Sequence, residues 1–188
     1  MPRFEISNTD DIIDSRDIIE RFEELDGERD DLVNAVDDAK GELESSMNDL
    51  GTAQHDLYNA NSSGDAEAIA EATADCEKYQ SAADDADVAL KEAEEALATW
   101  DGATEWATLK NLCEQGEGCA DWSYGETLIH ESHFADYAEE LAKETSDVPS
   151  SQWSQWPFNC IDWEDAANTL KQDYTSIDFD GQTYYVRS

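Results

Sequence analysis

The sequence predicts an α-helical antiparallel coiled-coil hairpin that is followed by a small α+β domain ending in a β-hairpin. Apolar residues recur at heptad spacing through most of the first hundred positions, as is typical of helices that pack along their length. A short turn sequence interrupts this repeat once, and four of the six tryptophans lie beyond Trp106, where the repeat has stopped. We therefore expect an N-terminal lead over residues 1–16, an acidic hairpin over 17–100 and a small acidic domain over 101–188.

The first arm of the hairpin carries apolar residues in alternating steps of four and three. Eleven of the thirteen positions on this spacing are apolar, which makes a seam of about six heptads. The thirteen positions are Ile18, Phe22, Leu25, Arg29, Leu32, Val36, Ala39, Leu43, Ser46, Leu50, Ala53, Leu57 and Ala60. Gly27 lies near the start of the arm, and glycine costs a helix about 1 kcal/mol relative to alanine. It is the position where we expect a bend or break.

The second arm begins after the turn sequence NSSGD, in which Asp65 is the expected helix cap. All ten positions on its spacing are apolar or aromatic, namely Ile69, Ala72, Cys76, Tyr79, Ala83, Ala86, Leu90, Ala93, Leu97 and Trp100. Two seams joined by a short turn predict an antiparallel hairpin. Many seam positions are alanine, which lets two helices approach closely. This arm would be about 54 Å long at the helical rise per residue.

The small domain shows mixed signals of helices and strands. We expect one helix over residues 104–115, a second that Ser132 caps and that runs to about residue 143, and a third that Asp162 caps. Asp180-Gly181 lies between two stretches of alternating apolar residues, which is a strong signal of a two-residue hairpin turn. The chain end is therefore expected to belong to a sheet.

The net charge of −36 excludes ordinary nucleic-acid and anionic-membrane binding, since both need basic patches. The charge is not a detachable tail, because residues 17–100 carry a net −20 and residues 102–188 a net −13. Three interpretations remain open. The acids could be the solvated surface of a salt-loving organism's protein, a docking surface for a basic partner, or an imitation of the nucleic-acid backbone.

The density of charge on the hairpin is comparable to that of a nucleic acid. A net −20 spread over about 54 Å is about one excess charge per 3 Å, against one per about 1.7 Å in duplex DNA and 3.4 Å in a single strand. Ordinary coiled coils instead interleave Glu with Lys. The candidate partner-binding acids are Asp37, Asp38, Glu42, Glu44, Asp84, Asp85, Asp87, Glu92, Glu94, Glu95, Glu139, Glu140, Asp162, Glu164 and Asp165. Those on the hairpin fall between seam positions and are expected to face solvent.

The sequence carries few signs of catalysis. It has no glycine-rich phosphate loop, no HExxH motif and only three histidines, so we expect a non-enzyme without catalytic residues or cofactors. Cys113, Cys119, His130 and His133 depart from the usual zinc spacings, and no metal site is expected. No apolar stretch approaches a membrane span or a signal peptide. A soluble, cytoplasmic protein with reduced cysteines is therefore expected.

The tryptophans have two alternative roles. Trp122 and Trp163 are expected to pack the small domain. Trp153 and Trp156, in the stretch QWSQW, are candidates for an aromatic contact with a partner, because tryptophan is a favoured interface anchor. The alternative is that at least one of these two belongs to the core.

Three stretches in the last third of the chain carry a family resemblance: FADYAEELAKE (Phe134–Glu144), CIDWEDAANTLKQDY (Cys160–Tyr174) and FDGQTYYV (Phe179–Val186). This region resembles the C-terminal region of the ArdA-type antirestriction family. Those acidic proteins of phages and mobile elements imitate duplex DNA and occupy restriction–modification enzymes. In addition, the N-terminal IIDSRDIIERFEEL is similar to a recurring opening of phage proteins.

The resemblance implies a phage or mobile-element inhibitor that acts in the host cytoplasm on a basic nucleic-acid-binding defence protein. The family's earlier acidic α/β domains are not recognisable, and a helical hairpin stands in their place. The target is therefore open between a restriction–modification enzyme, a CRISPR complex and another defence protein with a basic groove. The alternative function is a coiled-coil assembly or adaptor protein, whose acids only keep it soluble, as in a halophile. An exposed alanine-rich seam is also compatible with a homodimer.

Overall fold

The computed structural model describes residues 6–119 and 121–187 of the chain. The chain divides into two compact units. The first, here called the helical pair, is Asp26–Ala103. The second, here called the sheet unit, combines the chain up to Leu25 with the chain from Thr104 onward.

The helical pair contains most of α1 (Ser15–Ser63) and all of α2 (Ala66–Ala98). Helix α1 continues without interruption through Gly27, so the break that the sequence allows there does not occur. Gly64 separates the helices with a φ of 73°, in the left-handed region that favours glycine. Asp65 then caps α2 as expected, since its Oδ1 accepts from the backbone nitrogens of Glu67 at 3.0 Å and Ala68 at 3.5 Å.

The two long helices pack together through the residues of the predicted seam. All twenty seam positions from Arg29 to Trp100 are buried or half-buried, and the most buried are Val36, Ala39, Ala53, Ala83 and Ala86. At the end of the pair away from the turn, the indole nitrogen of Trp100 donates to Glu28 at 3.4 Å. Apolar burial along the whole seam is what stabilises this unit.

The sheet unit is built around four antiparallel strands in the order β1-β2-β4-β3. The strands are β1 (Ile12–Asp14), β2 (Thr127–His130), β3 (Tyr174–Phe179) and β4 (Gln182–Arg187). The predicted hairpin is confirmed: β3 and β4 pair through Ile177 and Tyr184. Both turn residues, Asp180 at φ 49° and Gly181 at φ 79°, have the positive angles that such a hairpin turn requires.

Four shorter helices follow along the chain, namely α3 (Ala103–Gly116), α4 (Trp122–Gly125), α5 (Phe134–Thr145) and α6 (Trp163–Leu170). Asp162 caps α6 as expected. Ser132 does not cap α5 directly, because it lies in a 3-10 turn, Glu131–His133, that precedes the helix. The core of this unit joins sheet and helices, with Ile129, Phe134, Ala138 and Ala167 packed together.

The boundaries of the two units differ from the expected segments. The described part of the N-terminal lead belongs to the sheet unit, because β1 pairs with β2 through Ile13 and Leu128, whereas residues 1–5 of the lead lie outside the described residues. Ile18 and Leu25 are fully buried in the sheet unit, although both lie on the hairpin's heptad spacing. An unbroken helical period does not reveal where one packing environment ends and the next begins.

Candidate partner-binding surface

The helical pair carries its acidic residues on its surface. It contains 22 acidic and four basic residues, a net charge of −18, and 20 of the 22 acids are exposed. Only Asp26 and Asp87 are half-buried. The cause is the heptad spacing: once the seam is buried, the positions between seam residues face solvent.

The structure places the hairpin's candidate acids as the spacing requires. Nine of the ten are exposed, and the tenth, Asp87, is half-buried and forms an ion pair with Lys91. Lys40 approaches Asp37 at 4.0 Å, and the side-chain amide of Gln80 donates to Asp84 at 2.8 Å. Four basic residues can neutralise at most four of the 22 carboxylates. The surface therefore presents a large excess of negative charge.

The excess charge is spread along a long element. The part of α1 that lies in the helical pair extends for about 57 Å at the helical rise per residue. A net −18 over this length is about one excess charge per 3 Å, between the spacing in duplex DNA and that in a single strand. At physiological salt such charges attract a basic surface mainly within about one Debye length, roughly 8 Å, so the attraction depends on close approach and on the salt concentration.

The candidate acids of the sheet unit have more varied surroundings. Glu140, Glu164 and Asp165 are exposed, while Glu139 is half-buried and lies 2.5 Å from the ammonium nitrogen of Lys143. Asp162 is exposed, but its Oδ1 accepts from the backbone nitrogens of Glu164 at 3.1 Å and Asp165 at 3.2 Å. Its carboxylate therefore stabilises the N-terminus of α6 and is less free to meet a partner.

The two tryptophans of QWSQW differ in their exposure to solvent. Trp156 is 81% exposed, so it is a candidate for contact with a partner. Trp153 is half-buried, with ring centroids 5.3 Å from Phe158 and 6.0 Å from Trp163. Trp122 is buried, as the sequence predicts for a packing residue, and Trp163 is half-buried.

Of the residues considered for zinc, the two histidines contact other side chains, since His133 Nδ1 lies 3.7 Å from a carboxylate oxygen of Asp136. His130 Nδ1 lies 2.7 Å from the Ser132 hydroxyl, and its Nε2 lies 3.3 Å from the Gln182 side-chain oxygen. Burial raises the pKa of the Cys113 thiol to about 11, and that of Cys119 is raised for the same reason. Among residues 6–119 and 121–187, no three His, Cys, Asp or Glu side chains are grouped to hold a metal ion. In the same residues no helix has the length and apolar character that a membrane span requires.

Sequence reasoning missed a cleft between α1 and α2 near their connecting turn. Its volume is about 370 Å³, and its walls include the carboxylates of Asp49, Asp56, Glu71 and Asp75 together with Tyr79. Small side chains such as Ala53, Ala60, Ala68 and Ala72 line it as well, and they leave space between the helices. In the sequence, only these alanines could have indicated the cleft, and alanines on a seam equally indicate that two helices approach each other closely.

Comparison of the chain with protein-family models, with curated proteins and with solved structures gives no match.

Proposed function

We propose that the protein is a phage or mobile-element inhibitor of a host defence nuclease complex, and that it acts in the host cytoplasm as an acidic mimic of DNA. Its partner is a basic nucleic-acid-binding protein of a restriction–modification or CRISPR type. The observation that carries the proposal is the exposure of 20 of the 22 acids of the helical pair, at about one excess charge per 3 Å.

The mechanism is occupation of a basic groove. Lysine and arginine side chains that hold phosphates would pair with exposed carboxylates such as Asp37, Asp38, Asp84 and Asp85. Carboxylates and phosphate oxygens are both acceptors of charge-assisted hydrogen bonds from these cations. Counterions around the acids and the groove are released on binding, so the affinity should fall steeply with salt.

Two further features support the same proposal. The heptad spacing and the burial of the seam favour an antiparallel coiled coil, which would give the acids a long and rigid support. The resemblance of residues 134–186 to the ArdA C-terminal region favours an antirestriction role for the chain.

The test uses a purified type I restriction–modification enzyme and a purified CRISPR surveillance complex. DNA binding and cleavage by each are measured with increasing amounts of the protein, at 50 and 300 mM NaCl. Inhibition of at least one complex, relieved by excess duplex DNA and weakened at 300 mM NaCl, supports mimicry. Inhibition that is equal at both salt concentrations and insensitive to DNA would contradict it.

A matched pair of variants separates charge from structure. In the six-amide variant, six exposed acids are replaced by amides: Asp37→Asn, Asp38→Asn, Glu42→Gln, Asp84→Asn, Asp85→Asn and Glu92→Gln. In the charge-preserving control, the same six positions exchange Asp for Glu and Glu for Asp. The six-amide variant should inhibit less at 50 mM NaCl, and the charge-preserving control should inhibit as the unmodified protein does.

A further inference from the structure

All six tryptophans lie among residues 6–119 and 121–187, which the structure describes, and Trp156 is the only exposed one. It is 81% exposed, whereas the five others are buried or half-buried. An indole left in water forgoes the large burial free energy that aromatic side chains contribute to a core. Exposed Ile161, at 38%, follows it in the same loop. Tryptophan is among the residues most enriched at the anchors of protein–protein interfaces, so the exposed indole of Trp156 is a candidate contact for a partner.

The loop that carries Trp156 is held in place on both sides of it. Trp153 packs against Phe158 and Trp163, which fastens the two ends of the loop to the start of α6. The backbone nitrogen of Asn159 donates to the carbonyl of Gln155 at 3.1 Å. Because these contacts order the loop, little conformational entropy would be lost when a partner covers the indole.

The stretch of chain that contains Trp156 is acidic, which favours a basic partner. Residues 144–170 contain five acids and no lysine or arginine. The acids are Glu144, Asp147, Asp162, Glu164 and Asp165, and all five are exposed. Such a surface attracts a basic protein. Arginine suits the indole better than lysine, because its planar guanidinium stacks on an aromatic face while its edge still donates to carboxylates.

We propose that Trp156 is the aromatic anchor of the partner-binding surface and that it stacks against an arginine of the basic partner protein. This rests on the proposed function, since it takes the partner to be a basic DNA-binding protein. It adds to charge mimicry a close-range contact that salt screens less than an exposed ion pair, and it assigns Trp153 to holding the loop.

The test uses the full chain labelled with 5-fluorotryptophan and a nona-arginine peptide as the probe. Fluorine NMR follows the six tryptophan signals at 50 and 500 mM NaCl, and Trp156→Phe identifies the signal of Trp156. We expect the Trp156 signal to shift most at both salt concentrations. Trp156→Ala should weaken binding about two- to fivefold at 500 mM NaCl. An unshifted Trp156 signal or unchanged affinity of Trp156→Ala would overturn the proposal.

Tyr124 offers a matched control, because it too is 81% exposed and belongs to the sheet unit. The guanidinium of Arg16 lies beside Gly125, the residue that follows Tyr124. A basic side chain of the protein itself is therefore next to this part of the backbone. Tyr124→Ala should therefore bind the peptide as the unmodified protein does. An equal loss of affinity in Tyr124→Ala would show that any exposed ring suffices, and would overturn the specific role of Trp156.

The DNA-mimic proposal and the Trp156 anchor proposal can be contradicted independently of each other. Trp156→Ala leaves the net charge unchanged, whereas the six-amide variant leaves the indole unchanged. If the protein inhibits a defence enzyme in competition with DNA while Trp156→Ala binds the peptide normally, only the anchor is wrong. If Trp156→Ala weakens peptide binding while the six-amide variant inhibits as well as the unmodified protein, only the mimicry is wrong.

Discussion

Arg21 on α1 donates to both carboxylate oxygens of Glu105 on α3. The distances are 2.7 Å from Nε to Oε1 and 2.8 Å from Nη2 to Oε2. Arg21 is only 8% exposed, and its Nη1 also donates to Glu24 at 3.0 Å. The hydrogen bonds that Arg21 donates to the Glu105 carboxylate raise the pKa of Arg21 above its usual range. This bidentate ion pair therefore joins parts of the sheet unit that are 84 residues apart in the chain.

Glu105→Gln should destabilise the sheet unit by about 1–2 kcal/mol, because the buried guanidinium would lose its charged partner while water and Glu24 compensate in part. Urea unfolding followed by circular dichroism measures the change. Glu24→Gln is the control: Glu24 is more exposed and makes one contact, so its loss should cost less. Equal effects of the two substitutions would mean that the contact with Glu105 has no special weight.

Replacement by alanine at two glycines should change the stability of the protein in opposite directions. A Cβ on Gly116 would lie 2.3 Å from the ring of buried Trp122, so Gly116→Ala should destabilise the protein by about 1–3 kcal/mol. A Cβ on Gly51 would meet nothing within 4 Å in the middle of α1, so Gly51→Ala should stabilise by about 0.5–1 kcal/mol. Thermal unfolding of both variants gives the signs. A destabilised Gly51→Ala would contradict the open surroundings of that position.

Tyr184 should make the stability fall at high pH. Burial raises the pKa of Tyr184 to about 12, and its hydroxyl donates to the carbonyl of Asp10 at 2.7 Å. Because the folded pKa is higher than the unfolded value of about 10, this contribution is complete below pH 10 and is lost as the pH rises through 12. Tyr184→Phe should be less stable at pH 8 but should show a shallower loss between pH 10 and 12. Equal slopes for both proteins would contradict the raised pKa.

Self-repulsion should make the stability depend on salt. Each unit carries a net charge of −18, so salt that screens the acids should raise the melting temperature between 20 and 500 mM NaCl. The six-amide variant should gain less from salt than the unmodified protein, and the charge-preserving control should gain as much. Unfolding at low salt together with no inhibition of any DNA-binding defence complex would favour the halophilic alternative.

Local signals in the sequence predicted much of the fold. The seam positions from Arg29 to Trp100 are buried or half-buried because the helical period alone places them on one face. Asp65 and Asp162 cap helices because a cap needs only a side chain and the two or three residues that follow it. The turn at Asp180-Gly181 was recognisable for the same reason: its backbone angles are a property of the two residues themselves.

Strands β1 and β2 were not predicted. Each has at most four residues, and Leu128 and Ile129 are both fully buried, so no alternation marks the strand. Their pairing joins Ile12 to Ile129 across most of the chain, which no local pattern encodes. The assignment of Ile18 and Leu25 to the sheet unit was missed because the heptad spacing runs through them unchanged.

By itself, the sequence determined the excess negative charge, the seams and the caps, since these depend on composition and on periods of a few residues. Only the tertiary structure decided how exposed each hairpin acid is, since Asp87 is half-buried beside Lys91 whereas Asp37 is exposed. It also decided that Trp153 packs on Trp163 whereas Trp156 stays in solvent. The physical reason is that burial depends on contacts between residues distant in the chain, and two tryptophans three positions apart in the same loop have no local feature that separates them.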